Sequence, residues 1–317
     1  MYLSKKDEVA KKMVDKVELG KKIQSIRESK GMSRQVLCQD EDILTTRQLQ
    51  RIEKGTSLPS IATVVYIAQQ LDVSVEILVD KEKLEIPQRY LDLRYKIQRL
   101  PHYGNPERIM EREAILDEIY ESFFDNLPEE EQLAVQIEHA ILDIAATRRP
   151  EFDQGLVDEY LERSLAKSQL DMNDMNILSL RLLTLAFGEF DKEEFVHLLS
   201  RIIHQRTNTT VEGLQLIQNV VITSIGILCH FEEYDMLYQL HQVLEELMDR
   251  LKDYSDKAFV YMTRWKINLY LEHNLEAAKE NYRSARQLAQ LLSEELLFTN
   301  IGNEWAEDME KLELVDQ

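Results

Sequence analysis

Apolar side chains recur at helical spacing along most of the chain, and residues that cap or stop helices stand between the apolar runs. Over the first eighty residues, this spacing predicts five short helices. They cover 17–30, 34–38, 46–54, a segment that opens at Pro59-Ser60, and a short segment after Ser74. Two short helices joined by a tight turn inside such a unit are typical of a helix-turn-helix that places one helix in the major groove of DNA.

The rest of the chain repeats the amphipathic pattern in longer segments. The predicted helices cover 88–100, 105–124, 128–146, 154–168, 173–187, 192–206, 211–231, 234–252, 257–272, 275–292 and 293–312. Helix pairs that recur every 35–42 residues predict an α-solenoid of the tetratricopeptide type. The fold class is therefore all-α, with an N-terminal helix-turn-helix domain and a C-terminal tetratricopeptide-like solenoid.

Charge divides the chain at the same place as the helical pattern. We predict a charged N-terminal extension over 1–16, a helix-turn-helix domain over 17–80, a linker over 81–87 and a solenoid over 88–317. The 17–80 domain has eight basic and nine acidic residues, a net charge of −1, whereas 81–317 has 25 basic and 46 acidic residues, a net charge of −21. A nearly neutral domain makes few phosphate contacts and binds DNA weakly alone. We therefore expect the active protein to be a homodimer that binds two half-sites.

A longer motif indicates what the N-terminal domain does. Gly31-Met32-Ser33 and Arg51-Ile52-Glu53-Lys54-Gly55 stand in the string LGKKIQSIRESKGMSRQVL…LTTRQLQRIEKGTSLPS. This string resembles the helix-turn-helix of the Xre family. In that family the first motif stands between the first and second helices, and the second motif ends the helix that reads DNA. The turn before the reading helix, Gln39-Asp40-Glu41-Asp42, is about one residue longer than usual and is acidic. The resemblance implies that double-stranded DNA is a partner.

Position in the two helices assigns roles to the polar side chains. Residues 45–47 open the reading helix, where side chains reach base edges and an arginine can bind O6 and N7 of guanine. Arg34 stands where the family usually has a glutamine that contacts the DNA backbone. Arg51 has two interpretations, a contact with DNA or an internal brace together with Glu53. The whole predicted DNA-binding set is Arg34, Gln35, Thr45, Thr46, Arg47, Gln48, Gln50, Arg51 and Lys54.

Several stretches of the chain are similar to one group of bacterial regulators. MSRQVLC, LTTRQLQRIEKG, YIAQQL, NPERI and FFDNLPEEE resemble the competence regulators of streptococci, within the Rgg/RNPP group of peptide-responsive regulators of Gram-positive bacteria. The resemblance implies a cytoplasmic receptor that binds a short, imported, hydrophobic pheromone peptide and then activates transcription of competence genes. Two alternatives stay open. One is a phage-type Xre repressor whose helical domain only dimerises and has no peptide ligand, and the other is a helical adaptor for a protein partner.

A pheromone peptide ends in a free carboxylate, which needs a cation. Related receptors use basic residues early in the repeat domain, and the matching residues here are Arg89, Arg94 and Arg99, with Arg99 the first choice. The alternative for these residues is a solvated helix face. Asn219 lies in an otherwise apolar segment, 214–228, so we expect a buried amide. It would bond either to the peptide backbone, as in related receptors, or within the protein.

The acidic solenoid offers a way to hold the DNA-binding domain inactive. In this hypothesis, a carboxylate of the first repeat pairs with Arg34 or Arg47 in the free protein, and peptide binding releases the pair. The candidate carboxylates are Glu113, Asp117 and Glu118. The last segment, 293–312, is more apolar than a terminal repeat helix needs to be. We assign it to the dimer contact, and a core-facing last helix is the alternative.

Signatures of catalysis and of cofactor binding are missing from the sequence. There is no Walker loop, no Gly-x-Ser-x-Gly elbow, no dinucleotide fingerprint and no His-Glu-x-x-His pair, so we predict no enzyme, no metal site and no cofactor. Cys38 and Cys229 lie far apart, which fits two buried thiols in a reducing cytosol. The N-terminus has no apolar signal-peptide core, and the longest apolar stretch, 220–229, is too short for a membrane span. We therefore expect no membrane partner.

Overall fold

The computed structural model describes residues 15–39, 43–79, 86–101, 104–150 and 154–313. The chain folds as two compact units, Met1–Ala146 and Thr147–Gln317. The first unit thus combines the helix-turn-helix with the first three helices that the sequence assigned to the solenoid. The predicted extension 1–16 and linker 81–87 fall largely outside the described residues, so those boundaries stay predictions.

Five short helices come first among the described residues, at the places that the sequence predicts. They are α1 (Lys16–Ser29), α2 (Arg34–Leu37), α3 (Thr46–Glu53), α4 (Ile61–Gln70) and α5 (Val75–Leu78). Four of them begin where a side chain accepts hydrogen bonds from the first N–H groups of the helix, which no backbone carbonyl can reach. These capping residues are Asp15, Ser33, Thr45 and Ser60.

Two glycines let α1 lie directly on the end of the reading helix α3. A Cβ at Gly20 would stand 2.1 Å from the carbonyl oxygen of Ile52, and a Cβ at Gly55 would stand 2.7 Å from Cα of Val17. Gly55 also has a φ of 67°, in the left-handed region that favours glycine. The apolar core around this contact contains Leu19, Ile23, Leu37, Leu44, Leu49, Val64, Ile67, Leu71 and Leu78.

Longer helices follow, and each predicted segment beyond residue 87 overlaps with one of them. They are α6 (Gln88–Arg99), α7 (Pro106–Ser122), α8 (Glu129–Thr147), α9 (Gln154–Ala166), α10 (Met172–Phe187), α11 (Lys192–His204), α12 (Val211–His230), α13 (Leu237–Leu251), α14 (Lys257–Lys266), α15 (Leu275–Leu291) and α16 (Glu295–Lys311). From α9 onward each helix packs on the next one in sequence, as in a solenoid. A turn of π-helix, Ile267–Leu271, continues α14.

The helix α12 is longer than the apolar stretch that the sequence analysis judged too short for a membrane. Its 20 residues are long and apolar enough to cross a bilayer by length and composition, but half of its most apolar stretch is buried in the protein. Ile217, Val221 and Leu228 are fully buried in the core of the second unit. We therefore describe α12 as a core helix.

The last helix, α16, packs on the core of the second unit. Its buried side chains are Leu297, Ile301, Trp305, Asp308 and Met309. Asp308 accepts hydrogen bonds from Trp265 Nε1 at 2.8 Å, Lys266 Nζ at 2.8 Å and Tyr270 OH at 2.6 Å. The structure has the core-facing arrangement that the sequence left as the alternative, and a dimer contact through this helix stays a prediction.

Candidate nucleic-acid interface

The reading helix α3 begins with a reciprocal cap. Thr45 Oγ1 accepts a hydrogen bond from Gln48 N at 3.1 Å, and Gln48 Oε1 accepts one from Thr45 N at 2.9 Å. Such a capping box fixes the first turn of a helix. Two side chains of the predicted DNA-binding set therefore position the helix, and Thr46 and Arg47 follow in the turn that they fix.

One side of α3 carries the polar side chains of this helix. Spacings of three and four residues place four polar side chains on one face of α3. They are Arg47, Gln50, Arg51 and Lys54. Arg47, Gln50 and Lys54 are exposed. The side chain of Arg51 is 44% exposed. The apolar side of α3 is buried against the core, so this polar face is the one that DNA can reach.

A groove between α2 and α3 brings most of the predicted DNA-binding residues together. The residues that line it are Arg27, Glu28, Ser33, Arg34, Gln35, Thr46, Arg47 and Gln50. Five of these belong to the set predicted from the sequence, and three are arginines. A groove with several guanidinium groups suits the phosphates and base edges of DNA. The role of each residue in binding DNA stays a prediction.

A buried carboxylate holds the helices of this interface together. The Glu53 side chain is 1% exposed, with Arg27 Nε 2.5 Å from one of its oxygens and Arg34 Nε 2.7 Å from the other. The hydrogen bond to Glu53 raises the pKa of the Arg27 guanidinium, although burial acts against it. The internal brace around Glu53 is therefore made by Arg27 and Arg34. The interpretation in which Arg51 braces Glu53 is wrong, and Arg34 is partly engaged within the protein.

Arg51 pairs instead with the first turn of α8, also in the first unit. Its Nη1 lies 2.5 Å from Glu129 Oε1, and Ser57 Oγ donates a hydrogen bond to Glu129 Oε2 at 3.0 Å. Glu129 N also donates to Leu58 O at 3.3 Å. We call Arg51, Ser57 and Glu129 the Glu129 clasp. Sequence reasoning missed Glu129, because it lies 78 residues from Arg51 and no local pattern signals such a contact.

The carboxylates predicted to pair with Arg34 or Arg47 lie on α7. They are Glu113, Asp117 and Glu118. Glu118 accepts two hydrogen bonds, of 2.8 and 2.7 Å, from Arg89 of α6. These bonds raise the pKa of Arg89. The structure thus joins a residue predicted to restrain the DNA-binding domain to one predicted to bind the peptide. Glu113 is partly buried and Asp117 is exposed, and their pairing with the reading arginines stays a prediction.

The other predicted peptide-binding cations on α6 have neighbours as well. Arg94 Nη1 lies 2.5 Å from Glu131 Oε2, which also accepts a hydrogen bond from Tyr90 OH at 2.7 Å. The guanidinium carbon of Arg99 lies 5.2 Å from the ring centroid of Tyr95. Glu131 stands two residues after the clasp carboxylate, so the first turn of α8 contacts both the helix-turn-helix and α6.

The amide side chain that is buried in α12 is Gln218, whereas the sequence pattern predicts that Asn219 is buried. Asn219 is exposed, whereas its neighbour Gln218 is only 4% exposed. Gln218 Nε2 donates to Asp256 Oδ2 at 2.9 Å. The expectation that Asn219 is buried is therefore wrong, because one residue turns a side chain by about 100° around the helix. A contact between Asn219 and a peptide stays a prediction.

A comparison with protein families identifies the helices after the linker. The family model described as ComR tetratricopeptide matches residues 87–305. This chain belongs to the ComR tetratricopeptide family. The ComR match begins one residue before α6 and ends within α16. It thus covers most of the region, 88–317, that the sequence predicts to be a tetratricopeptide-like solenoid.

Solved ComR structures share the fold over nearly their whole length. The apo form of ComR from S. thermophilus is 30% identical, with a TM-score of 0.74, over 92% of this chain and 99% of that chain. The apo form from Streptococcus vestibularis is 29% identical, with a TM-score of 0.72, over 93% and 99%. ComR from S. thermophilus in complex with DNA and its signalling peptide ComS is 30% identical, with a TM-score of 0.66, over 92% and 99%. The TM-score of this member of the ComR family is therefore higher with these two apo forms than with that complex.

A shorter stretch of the chain is similar to curated regulators of the helix-turn-helix type. It is 43% identical over 58 residues to an uncharacterized HTH-type transcriptional regulator of Rickettsia conorii. That match covers 18% of this chain and 46% of the relative, so the chain spans about half the length of the curated relatives it matches. This likeness supports the helix-turn-helix and says nothing about the solenoid.

Proposed function

We propose that this chain is a DNA-binding transcription regulator that a short hydrophobic peptide switches to its active form. The observation that carries the proposal is the Glu129 clasp, in which a carboxylate outside the helix-turn-helix holds an arginine of the reading helix. ComR from S. thermophilus, 30% identical to this chain, has been solved in complex with DNA and a signalling peptide. Membership of the ComR family also argues against a phage-type repressor that has no peptide ligand.

In this proposal, DNA contacts the exposed face of α3 and the groove beside α2. Arg47 and Gln50 reach base edges, while Lys54 contacts phosphate. Arg34 reaches the DNA backbone with the guanidinium nitrogens that Glu53 does not engage. Because the helix-turn-helix is nearly neutral, one copy binds DNA weakly. In the proposal, a homodimer raises the affinity for DNA by binding two half-sites at once.

The Glu129 clasp competes with DNA for Arg51. A guanidinium binds a carboxylate, a phosphate or a guanine edge through the same N–H donors, so DNA gains Arg51 only when the pair with Glu129 opens. The pair is partly exposed to solvent, and such pairs contribute about 0.2–1 kcal/mol. A contact of that strength restrains the reading helix and can still be exchanged for DNA.

The peptide, in this proposal, places its C-terminal carboxylate on Arg99. This residue is exposed, and its guanidinium is held near the ring of Tyr95, which is itself 59% exposed. Arg89 and Arg94 are paired with Glu118 and Glu131, and a peptide carboxylate that bound either arginine would displace its partner. Displacement of Glu131 would act on the same turn of α8 that carries the clasp.

The proposed setting is the cytoplasm, where an imported peptide and DNA meet. The solved relatives are described as competence regulators, which makes competence genes the proposed targets and activation the proposed outcome. The proposed role is regulatory and includes no catalytic step or cofactor.

Gel-shift titrations of the full chain test the proposal. The duplexes come from competence promoters, and each titration is run with and without synthetic hydrophobic peptides of about ten residues. We expect at least one peptide to raise DNA affinity, and Arg47→Ala to weaken the shift, because one arginine–guanine contact is worth about 1–3 kcal/mol. Unconditional binding would favour a repressor without a ligand, and no binding in either condition would favour an adaptor.

A further inference from the structure

The two arginines on the exposed face of α3 have different surroundings. Arg47 is exposed, and within the described residues no ion pair or hydrogen bond engages its side chain. Arg51 is held by Glu129. The two stand four residues apart, so they project from the same face, one helical turn from each other. Among the described residues, Arg51 thus has an ion-pair partner that DNA would have to replace, and Arg47 has none.

The spacing of the two arginines matches a spacing in DNA. Four residues of α-helix advance by about 6 Å, and stacked base pairs repeat every 3.4 Å, so the two side chains reach bases about two pairs apart. An arginine that binds O6 and N7 of guanine discriminates against the other bases by roughly five- to 150-fold. Lys54, on the next turn of the same face, carries a compact ammonium without the planar fork of an arginine, and we assign it to a phosphate.

We propose that Arg47 and Arg51 are two guanine readers about two base pairs apart, and that the Glu129 clasp removes only the second from the resting protein. The inference rests on the proposed DNA-binding function. It adds that the clasp regulates sequence specificity and not affinity alone. The resting protein prefers guanine at one position of a half-site, and the released protein prefers guanine at both.

Selection from a library of random duplexes tests this inference. The full-length proteins used are the wild type, Glu129→Gln, Glu129→Lys, and each Glu129 variant combined with Arg47→Ala or Arg51→Ala. Glu129→Lys serves as a second way to open the pair if the neutral variant leaves it closed. Lys54→Ala is the control, since the loss of a phosphate contact weakens binding to all sequences alike.

We expect the Glu129 variants to select half-sites with two preferred guanines about two base pairs apart. Arg47→Ala should lose the first preference and Arg51→Ala the second, each by at least about fivefold. The wild type should show the first preference and a weaker second one. The inference is overturned if Arg51→Ala leaves all base preferences unchanged, or if the wild type and both Glu129 variants select the same site with equal strength. Failure of every protein to bind any duplex would instead overturn the proposed function itself.

Discussion

Two carboxylates, Asp308 in the second unit and Glu129 in the first, each hold a helix in place, but their surroundings differ. The Asp308 side chain is 4% exposed and its partner Lys266 is 8% exposed. Glu129 is 23% exposed and its partner Arg51 is 44% exposed. Asp308 accepts hydrogen bonds from three side chains of α14 and the π-turn after it, whereas Glu129 binds one arginine and one serine.

The difference in exposure separates a contact that belongs to the fold from one that can be exchanged. Burial would lower the pKa of Lys266, but the charges of Glu304 and Asp308 outweigh it and raise the pKa, so the lysine stays charged in the core. Removal of Asp308 would leave the buried Lys266 paired with the more exposed Glu304, 3.1 Å away. It would also take the acceptor from Trp265 and Tyr270. The Glu129 clasp has water as an alternative partner, so its opening costs little. The proposed switch requires both kinds of contact, a buried one that maintains the solenoid and an exposed one that DNA can replace.

The largest expected effect is on the buried carboxylate. We expect Asp308→Ala to lower the free energy of unfolding by about 3–5 kcal/mol, because Lys266 loses its buried partner. Urea denaturation of the full chain measures the change. Glu310→Ala, on the exposed side of the same helix, is the matched control and should change it by less than about 0.5 kcal/mol. If both variants change the free energy of unfolding equally, the hydrogen bonds of Asp308 do not stabilise the packing of α16.

A smaller effect is expected at the start of the reading helix. Thr45→Ala removes the hydroxyl that caps α3, which should cost about 1 kcal/mol. Thermal unfolding of the full chain gives the change. Thr299→Ala is the control, because its exposed hydroxyl donates to Glu295 O within its own helix and caps no helix start. If Thr45→Ala changes stability no more than this control, the capping box does not position α3.

The Glu129 clasp should contribute less to the free energy of unfolding than the Thr45 cap of α3. We expect Glu129→Gln to change the free energy of unfolding by less than about 1 kcal/mol, because the ion pair is partly solvated. Glu121→Gln, an exposed carboxylate on α7, controls for the change in net charge. A loss of 3 kcal/mol or more, as expected for Asp308, would mean that the clasp is a structural contact, and the contrast between the two carboxylates would fail.

The smallest effect concerns pH. Burial lowers the pKa of His241, and Glu245 only partly offsets this. The unfolded chain therefore binds a proton at His241 more readily than the folded protein, so stability from this residue is present above about pH 6.5 and falls as pH drops below it. His241→Gln should flatten the dependence of the melting temperature on pH over that range. The exposed His204→Gln should not, and an unchanged slope in His241→Gln would contradict this reading.

Much of the fold could be predicted because its signals are local. The periodicity predicts the five short helices and every described solenoid helix to within a few residues of their observed bounds. The site could be predicted only in part. The polar face of α3 follows from helical spacing, but the partners of its charges depend on which helices meet, and Glu129 is one helix beyond the carboxylates that the sequence suggested.

The amide on α12 shows a second limit of sequence reasoning. Apolar residues surround both Gln218 and Asn219 in the sequence, so the pattern of this helix does not say which side is buried. Packing in the second unit decides it, and it buries Gln218 against Asp256. A residue in a helix that is apolar nearly all round can be assigned to a face only from tertiary contacts.

The central claim is that the Glu129 clasp and the peptide act on one equilibrium of the reading helix. The most direct measurement is the DNA affinity of the wild type and of Glu129→Gln, each with and without an activating peptide, with Glu121→Gln as the charge control. We predict that Glu129→Gln binds DNA up to about fivefold more tightly than the wild type without peptide, and that the peptide then adds less by the same factor. An unchanged affinity in Glu129→Gln, or a full peptide effect on top of a gain, would contradict the claim.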